Sequence, residues 1–160
     1  MGKLLNPSVT WEDLARLRER WRGKLVVKGL IDVKDAIQAA KLGMDGIIVS
    51  NHGGRQVEGL PAPIDVLPAI AGAVAGRATV MLDSGIRSGL DVVRAVALGA
   101  DLAFAGKAFL WGLGALGAEG PTHVLDLMID EMKSVFGQVG ALRPPEARSA
   151  VIRHPGALHF

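Results

Sequence analysis

His52 and Arg55 stand three residues apart in the run Ser50-Asn51-His52-Gly53-Gly54-Arg55-Gln56, with two glycines between them. Glycines let the backbone turn sharply, so both side chains are able to point into one pocket. An imidazole is a suitable general base, and a guanidinium clamps a carboxylate through two parallel hydrogen bonds. The pair suits proton abstraction from a small carboxylic acid. The same spacing equally suits a glycine turn whose histidine is satisfied locally. Two further clusters, Asp83-Ser84-Gly85-Ile86-Arg87 and Gly106-Lys107, set a glycine beside a cation. Such pairs offer backbone N–H groups and positive charge to a phosphate, or serve as helix caps with solvated charges. Lys28 closes the apolar run Lys24–Lys28, where an unpaired ammonium is costly. It needs an anionic or acceptor partner, such as a cofactor ring oxygen. His123, His154 and His159 show no metal-ligand spacing and read as surface or tail residues, so no metal site is expected.

These clusters share one position in a repeating pattern. Short apolar strands are predicted at 24–28, 46–50, 79–82 and 101–105, and each polar cluster falls just past or at a strand's C-terminal end. Between them lie helical patterns. One carries Val33, Ala36, Ile37 and Ala40 and closes at Gly43. A second spans 64–75 and is interrupted early by Pro68, and a third spans 90–98. Ahead of the strands, Thr10 followed by Trp11, Glu12 and Asp13 predicts a helix N-cap, with Trp11, Leu14, Leu17 and Trp21 buried. A last long helix is predicted over 121–136, with an irregular tail from Gly137.

Alternating strands and helices predict a parallel α/β sheet or barrel, because parallel strands need crossover helices. The segment from Val27 also aligns with the segment from Asp83 at an offset of 56 residues. Gly29 then matches Gly85, Asp35 matches Asp91, Gly43 matches Gly99, and Asp45 matches Asp101. A block of two βα units occurring twice accounts for these matches.

Composition narrows the classes. The 160 residues are 49% hydrophobic and 21% charged, with a net charge of +2 and a mean hydropathy of +0.31, a globular balance. Without cysteine there is no disulfide, thiolate nucleophile or Cys-based metal cluster, which suits a reducing cytosol and a cytoplasmic protein. Basic residues are spread along the chain with no aromatic interleaving, so no nucleic-acid partner is expected. The apolar run 108–118 is too short and too glycine-rich to span a membrane, and no transmembrane segment is expected.

The strings VVKG, IIVSNHGGRQ, MLDSGIRSGLDVVRAVALGAD and GKAFLWGLGALGAEG closely resemble the FMN-dependent 2-hydroxy acid dehydrogenases and oxidases. That family includes glycolate oxidase, lactate dehydrogenase and mandelate dehydrogenase, and the resemblance runs from about Pro7 to Gly140. It implies that His52 is the active-site base and that Arg55 holds the substrate carboxylate. Lys28 is implied to lie against the flavin N1–C2 oxygen edge, and Ser50 to contact the flavin. Asp83, Ser84, Gly85 and Arg87 are implied to line the ribityl and phosphate region, with Gly106 and Lys107 completing the phosphate site. The family usually carries Arg where Lys107 stands, which keeps the charge but not the planar fork. The implied reaction oxidises a small 2-hydroxy acid to a 2-oxo acid with FMN as cofactor.

The implied fold is a TIM-barrel (β/α)8, of which the chain carries four βα units: residues 1–140 as the C-terminal half and 141–160 as an irregular tail. A complete barrel of this kind takes about 250 residues. Half a barrel leaves two open strand edges, which predicts a homo-oligomer or pairing with a missing N-terminal half. Beside the enzyme reading stands a non-catalytic FMN- or phosphate-binding half-barrel that self-associates. A nucleotide-oxidising barrel sharing the DxGIR string depends on a catalytic cysteine, which this chain lacks.

Overall fold

The computed structural model describes residues 9–150. The chain folds in the order α1 (Trp11–Arg20), β1 (Val26–Leu30), α2 (Val33–Lys41), β2 (Gly46–Val49), α3 (Pro63–Val74), β3 (Thr79–Leu82), α4 (Gly89–Ala97), β4 (Leu102–Ala103), α5 (Lys107–Leu116) and α6 (Gly120–Gln138). All strand pairs are parallel, and the sheet runs in chain order β1-β2-β3-β4. Four consecutive βα units are therefore present, as the alternating pattern predicts. Ile47 and Val49 of β2 and Leu82 of β3 are fully buried, packed with Ala36, Ala39, Leu67, Ile70 and Val74 from the covering helices. Burying each such large side chain stabilises the fold by roughly 1.5–3 kcal/mol.

The sequence repeat has a physical basis at both ends of the strands. Gly29 and Gly85 take φ of +100° and +94°, and Gly43 and Gly99 take +79° and +112°, a left-handed region that favours glycine. Asp32 and Ser88 are the matching N-caps of α2 and α4. Asp45 donates its N–H to Leu25 O (2.8 Å) and accepts the Leu25 N–H on its carboxylate (2.9 Å). Asp101 makes the same reciprocal pair with Val80 (2.7 and 2.9 Å). These aspartates tie the N-terminal ends of the strands, the face opposite the polar clusters.

Asp45 also pairs with Lys24 (2.8 Å) and Arg18 (2.9 Å). The Lys24 hydrogen bond, followed by that from the Leu25 N–H, pulls its pKa from 3.8 down to about 2. A carboxyl whose pKa is lower folded than unfolded stabilises the fold above its unfolded pKa, and that contribution fades as pH falls through the folded value. Asp45→Asn is thus expected to lower the melting temperature at neutral pH and to flatten its decline between about pH 4 and pH 2. Melting curves across that range check this, and an unchanged slope overturns it.

Several elements differ from expectation. Helix α3 is continuous through Pro68, which was expected to interrupt it. Pro68 forfeits one hydrogen bond, but Leu67, Ile70 and Val74 are all fully buried against the sheet and hold the helix together. Strand β1 lies two residues later than predicted, because Gly29 does not end it: the ladder shifts register between Lys28 and Leu30 and then continues. Strand β4 is shorter than predicted, two residues paired with β3. In α1 the Thr10 capping box forms with Asp13, and Trp11 and Leu14 pack on the core, but Leu17 and Trp21 are exposed. Arg18 takes the inward position instead, bonding Asp45 and the carbonyls of Trp21, Gly23 and Gly43.

Helix α5 occupies the glycine-rich run for which no helix was predicted. Gly112 is a contact point: a Cβ there would lie 2.7 Å from Gly120 O of α6. Helix α6 begins one residue earlier and ends two residues later than predicted. Beyond it, a 3-10 turn at Pro144–Ser149 buries Ala147 with Val93 and Val96 of α4. His123 is exposed, while His154 and His159 lie outside the described residues. Among the described residues, no helix is long and apolar enough to cross a membrane.

Among the described residues both outer strands present open edges, with Val26 of β1 and Leu102 of β4 each about half exposed. Unpaired edges of this kind seek strand partners.

Candidate active site

A cavity of about 580 Å³ opens at the C-terminal ends of the four strands. Nine of the ten expected site residues line it: Lys28 from β1, His52 and Arg55 after β2, Asp83, Ser84, Gly85 and Arg87 after β3, and Gly106 and Lys107 after β4. The tenth, Ser50, lies just beneath and is 1% exposed.

The floor is a partly buried polar network, with Ser50 its buried member. Lys28 Nζ donates to Ser50 Oγ (2.8 Å) and pairs with Asp83 Oδ2 (2.7 Å). Ser84 Oγ donates to the other Asp83 oxygen (2.9 Å) and accepts the Gly53 N–H (2.9 Å). Burial disfavours the Asp83 carboxylate, yet hydrogen bonds from Lys28, Ser50 and Ser84, with the Lys28 charge, outweigh it. The carboxyl is held below its usual range, so the Lys28–Asp83 pair is intact at neutral pH. The acceptor that the sequence demands for Lys28 is thus supplied within the protein.

The β2 loop is shaped by hydrogen bonds from below. Ser50 Oγ accepts the His52 N–H (3.1 Å), and Asn51 Oδ1 accepts the Gly53 N–H (3.1 Å), closing a 3-10 turn over His52–Gly54. His52 and Ser84 both take positive φ, 57° and 70°. A side chain in that region costs of order 1–3 kcal/mol, and such strain gathers at sites whose surroundings over-determine it. Arg55 Nε donates to His52 O (3.1 Å), which ties the arginine to the histidine loop while its side chain stays exposed. Lys107 Nζ reaches Gly53 O (3.3 Å). The N-terminus of α5, at Gly106 and Lys107, has no side-chain cap, so its N–H groups remain open to an acceptor.

Four contributors have no clear sequence signal. Asn51 lies within the polar cluster, but its capping role depends on the loop's shape. Gly29 reads as a strand end, yet a Cβ there would lie 2.7 Å from His52 Nε2. Trp111 stacks under Arg87, with the guanidinium carbon 5.4 Å from the ring centroid. Phe104 adds an apolar wall to the cavity. Among the described residues, no group of three His, Cys, Asp or Glu is placed to hold a metal ion.

A parallel βα sheet with its cations, histidine and open helix N-terminus gathered at the strand C-termini defines a βα protein of the barrel class, in which ligands bind at that face. Residues 1–154 match the FMN-dependent dehydrogenase family, and the chain belongs to it. It is 47% identical over 158 residues to L-lactate dehydrogenase of Pseudomonas putida, covering 98% of this chain and 42% of that one. It is 50% identical to L-lactate dehydrogenase of Pectobacterium atrosepticum, covering 85% and 35%. Mandelate oxidase solved with benzoyl-formic acid superposes with a TM-score of 0.86 at 39% identity, covering 91% of this chain and 43% of that one. A mandelate oxidase variant with a monooxide FMN adduct gives the same score and identity. The chain therefore spans less than half the length of the relatives it matches.

Proposed function

We propose that this chain forms the FMN- and substrate-binding half of an oxidoreductase that converts a small 2-hydroxy acid to its 2-oxo acid, acting in the cytoplasm. The observation that carries the reading is the convergence of Lys28, His52, Arg55, Arg87 and Lys107 on one cavity at the strand C-termini.

The residues present fit FMN. One end of the cavity offers Arg87, Lys107, the uncapped α5 N-terminus and Gly85, where a Cβ would meet nothing within 4 Å, a donor set suited to a dianionic phosphate. The other end holds Lys28, whose ammonium is anchored by Asp83 and Ser50 and so presents a fixed positive charge to a ring oxygen. When bound, FMN supplies the acceptor for the two electrons that the 2-hydroxy acid loses. Arg55 holds the substrate carboxylate, and His52 takes the proton released as the hydroxyl-bearing carbon is oxidised. The strained loop fixes the histidine before substrate arrives, which lowers the cost of orienting it.

The open edges of β1 and β4 pair with four further βα units in this reading, closing an eight-stranded barrel. The 56-residue repeat favours a second arrangement in which another copy of the chain supplies those units and the protein binds FMN or phosphate without turnover.

Co-expression with the N-terminal part of the Pseudomonas putida relative tests both. A yellow complex that bleaches anaerobically on adding lactate, glycolate or mandelate is the expected result. A flavin-loaded complex that none of these acids bleaches overturns the catalytic reading, and a colourless complex overturns the cofactor. Size-exclusion chromatography of the chain by itself with FMN reveals a yellow dimer if the second arrangement holds.

A further inference from the structure

We propose that Trp111 is a positioning residue that holds the Arg87 guanidinium for the phosphate end of the ligand; this rests on the FMN reading above. Arg87 leaves the β3–α4 loop two residues after the left-handed Gly85. Its backbone is fixed, because its N–H donates to Asp91 Oδ2 (3.0 Å) beside the α4 capping box. Its side chain is exposed and long, so ordering it at a phosphate carries an entropic cost. The Trp111 ring removes that freedom. The guanidinium carbon lies 5.4 Å from the ring centroid, within the reach of a cation–π stack.

Three features give the stack a purpose beyond packing. Trp111 is 57% exposed, so little of its ring contributes to the core. It stands four residues after Lys107 on α5, on the same helix face as the second phosphate-end cation. A guanidinium held over a ring face by its central carbon also leaves its N–H groups to make two parallel bonds to phosphate oxygens. Lys107 supplies charge without such a fork, so planar recognition at this end falls to Arg87, and Trp111 restricts where that fork lies.

Titrating the flavin-depleted complex of this chain and its co-expressed N-terminal half with FMN, with riboflavin (which lacks the phosphate) and with inorganic phosphate tests the assignment. Trp111→Leu is expected to weaken FMN and phosphate binding roughly threefold to tenfold and to leave riboflavin binding unchanged. Trp111→Phe restores most of the lost affinity. Phosphate is also expected to change the tryptophan emission of the wild-type chain, and this change disappears in Arg87→Leu. Equal FMN affinity for wild type and Trp111→Leu overturns the positioning role by itself. Equal losses for FMN and riboflavin also overturn it, since they mark a general structural defect. A wild-type complex that binds neither FMN nor phosphate overturns the functional reading on which the proposal rests.

Discussion

His52→Gln in the assembled barrel is expected to slow flavin reduction by the 2-hydroxy acid by roughly 10²–10⁴, the usual worth of a positioned general base. FMN affinity is expected to stay unchanged, because the ring can be removed without dismantling the loop. Ser50 Oγ holds the His52 N–H and Arg55 Nε holds its carbonyl, and both bonds are made by the backbone of residue 52. The Gly53 N–H remains fixed by Asn51 and Ser84. Stopped-flow absorbance of bound flavin under anaerobic conditions separates the two effects, since binding and reduction are read from one sample. A rate loss below about tenfold assigns the proton transfer to another group.

How much of this site the sequence disclosed depends on whether a feature is local. Strands β2 and β3 read correctly because a continuous β-branched or apolar run bounded by turn residues is a local signal. The same holds for Gly43 and Gly99, whose positive φ follows from the helix ends they terminate. The clusters at the strand ends were legible because parallel topology sends successive strand C-termini to one face. The Lys28–Asp83 ion pair was not, since Lys28 lies on β1 and Asp83 just past β3, with β2 between them, and they meet only once the sheet forms. Pro68 reads as an interruption because its propensity is a local signal, whereas the burial of Leu67, Ile70 and Val74 that outweighs it is tertiary. Helix α5 gives no clear local signal, for the converse reason. Gly112 lowers its intrinsic helicity, and only its close approach to Gly120 explains why a glycine belongs there.

Gly29 joins these threads in a second prediction of large effect. Its φ of +100° is a conformation that side chains rarely adopt, so Gly29→Ala is expected to destabilise the fold by about 1–3 kcal/mol. The added Cβ would also lie 2.7 Å from His52 Nε2, and the atom able to yield is the far end of the imidazole. The ring must therefore swing away from the position in which it lines the cavity. A displacement of about 1 Å at a reacting group costs on the order of 10² in rate, so reduction is expected to slow by that factor even where the protein remains folded. Stability and position are separable here. A second-site stabilising substitution far from the cavity restores the melting temperature but not the rate. The double variant Gly29→Ala with His52→Gln settles the route of the effect. If Gly29 acts through the imidazole, adding Gly29→Ala to His52→Gln costs little further rate, a strong coupling between two contacting residues. If the two losses simply add, Gly29 shapes the β1 bulge beside Lys28 and has no part in placing the base.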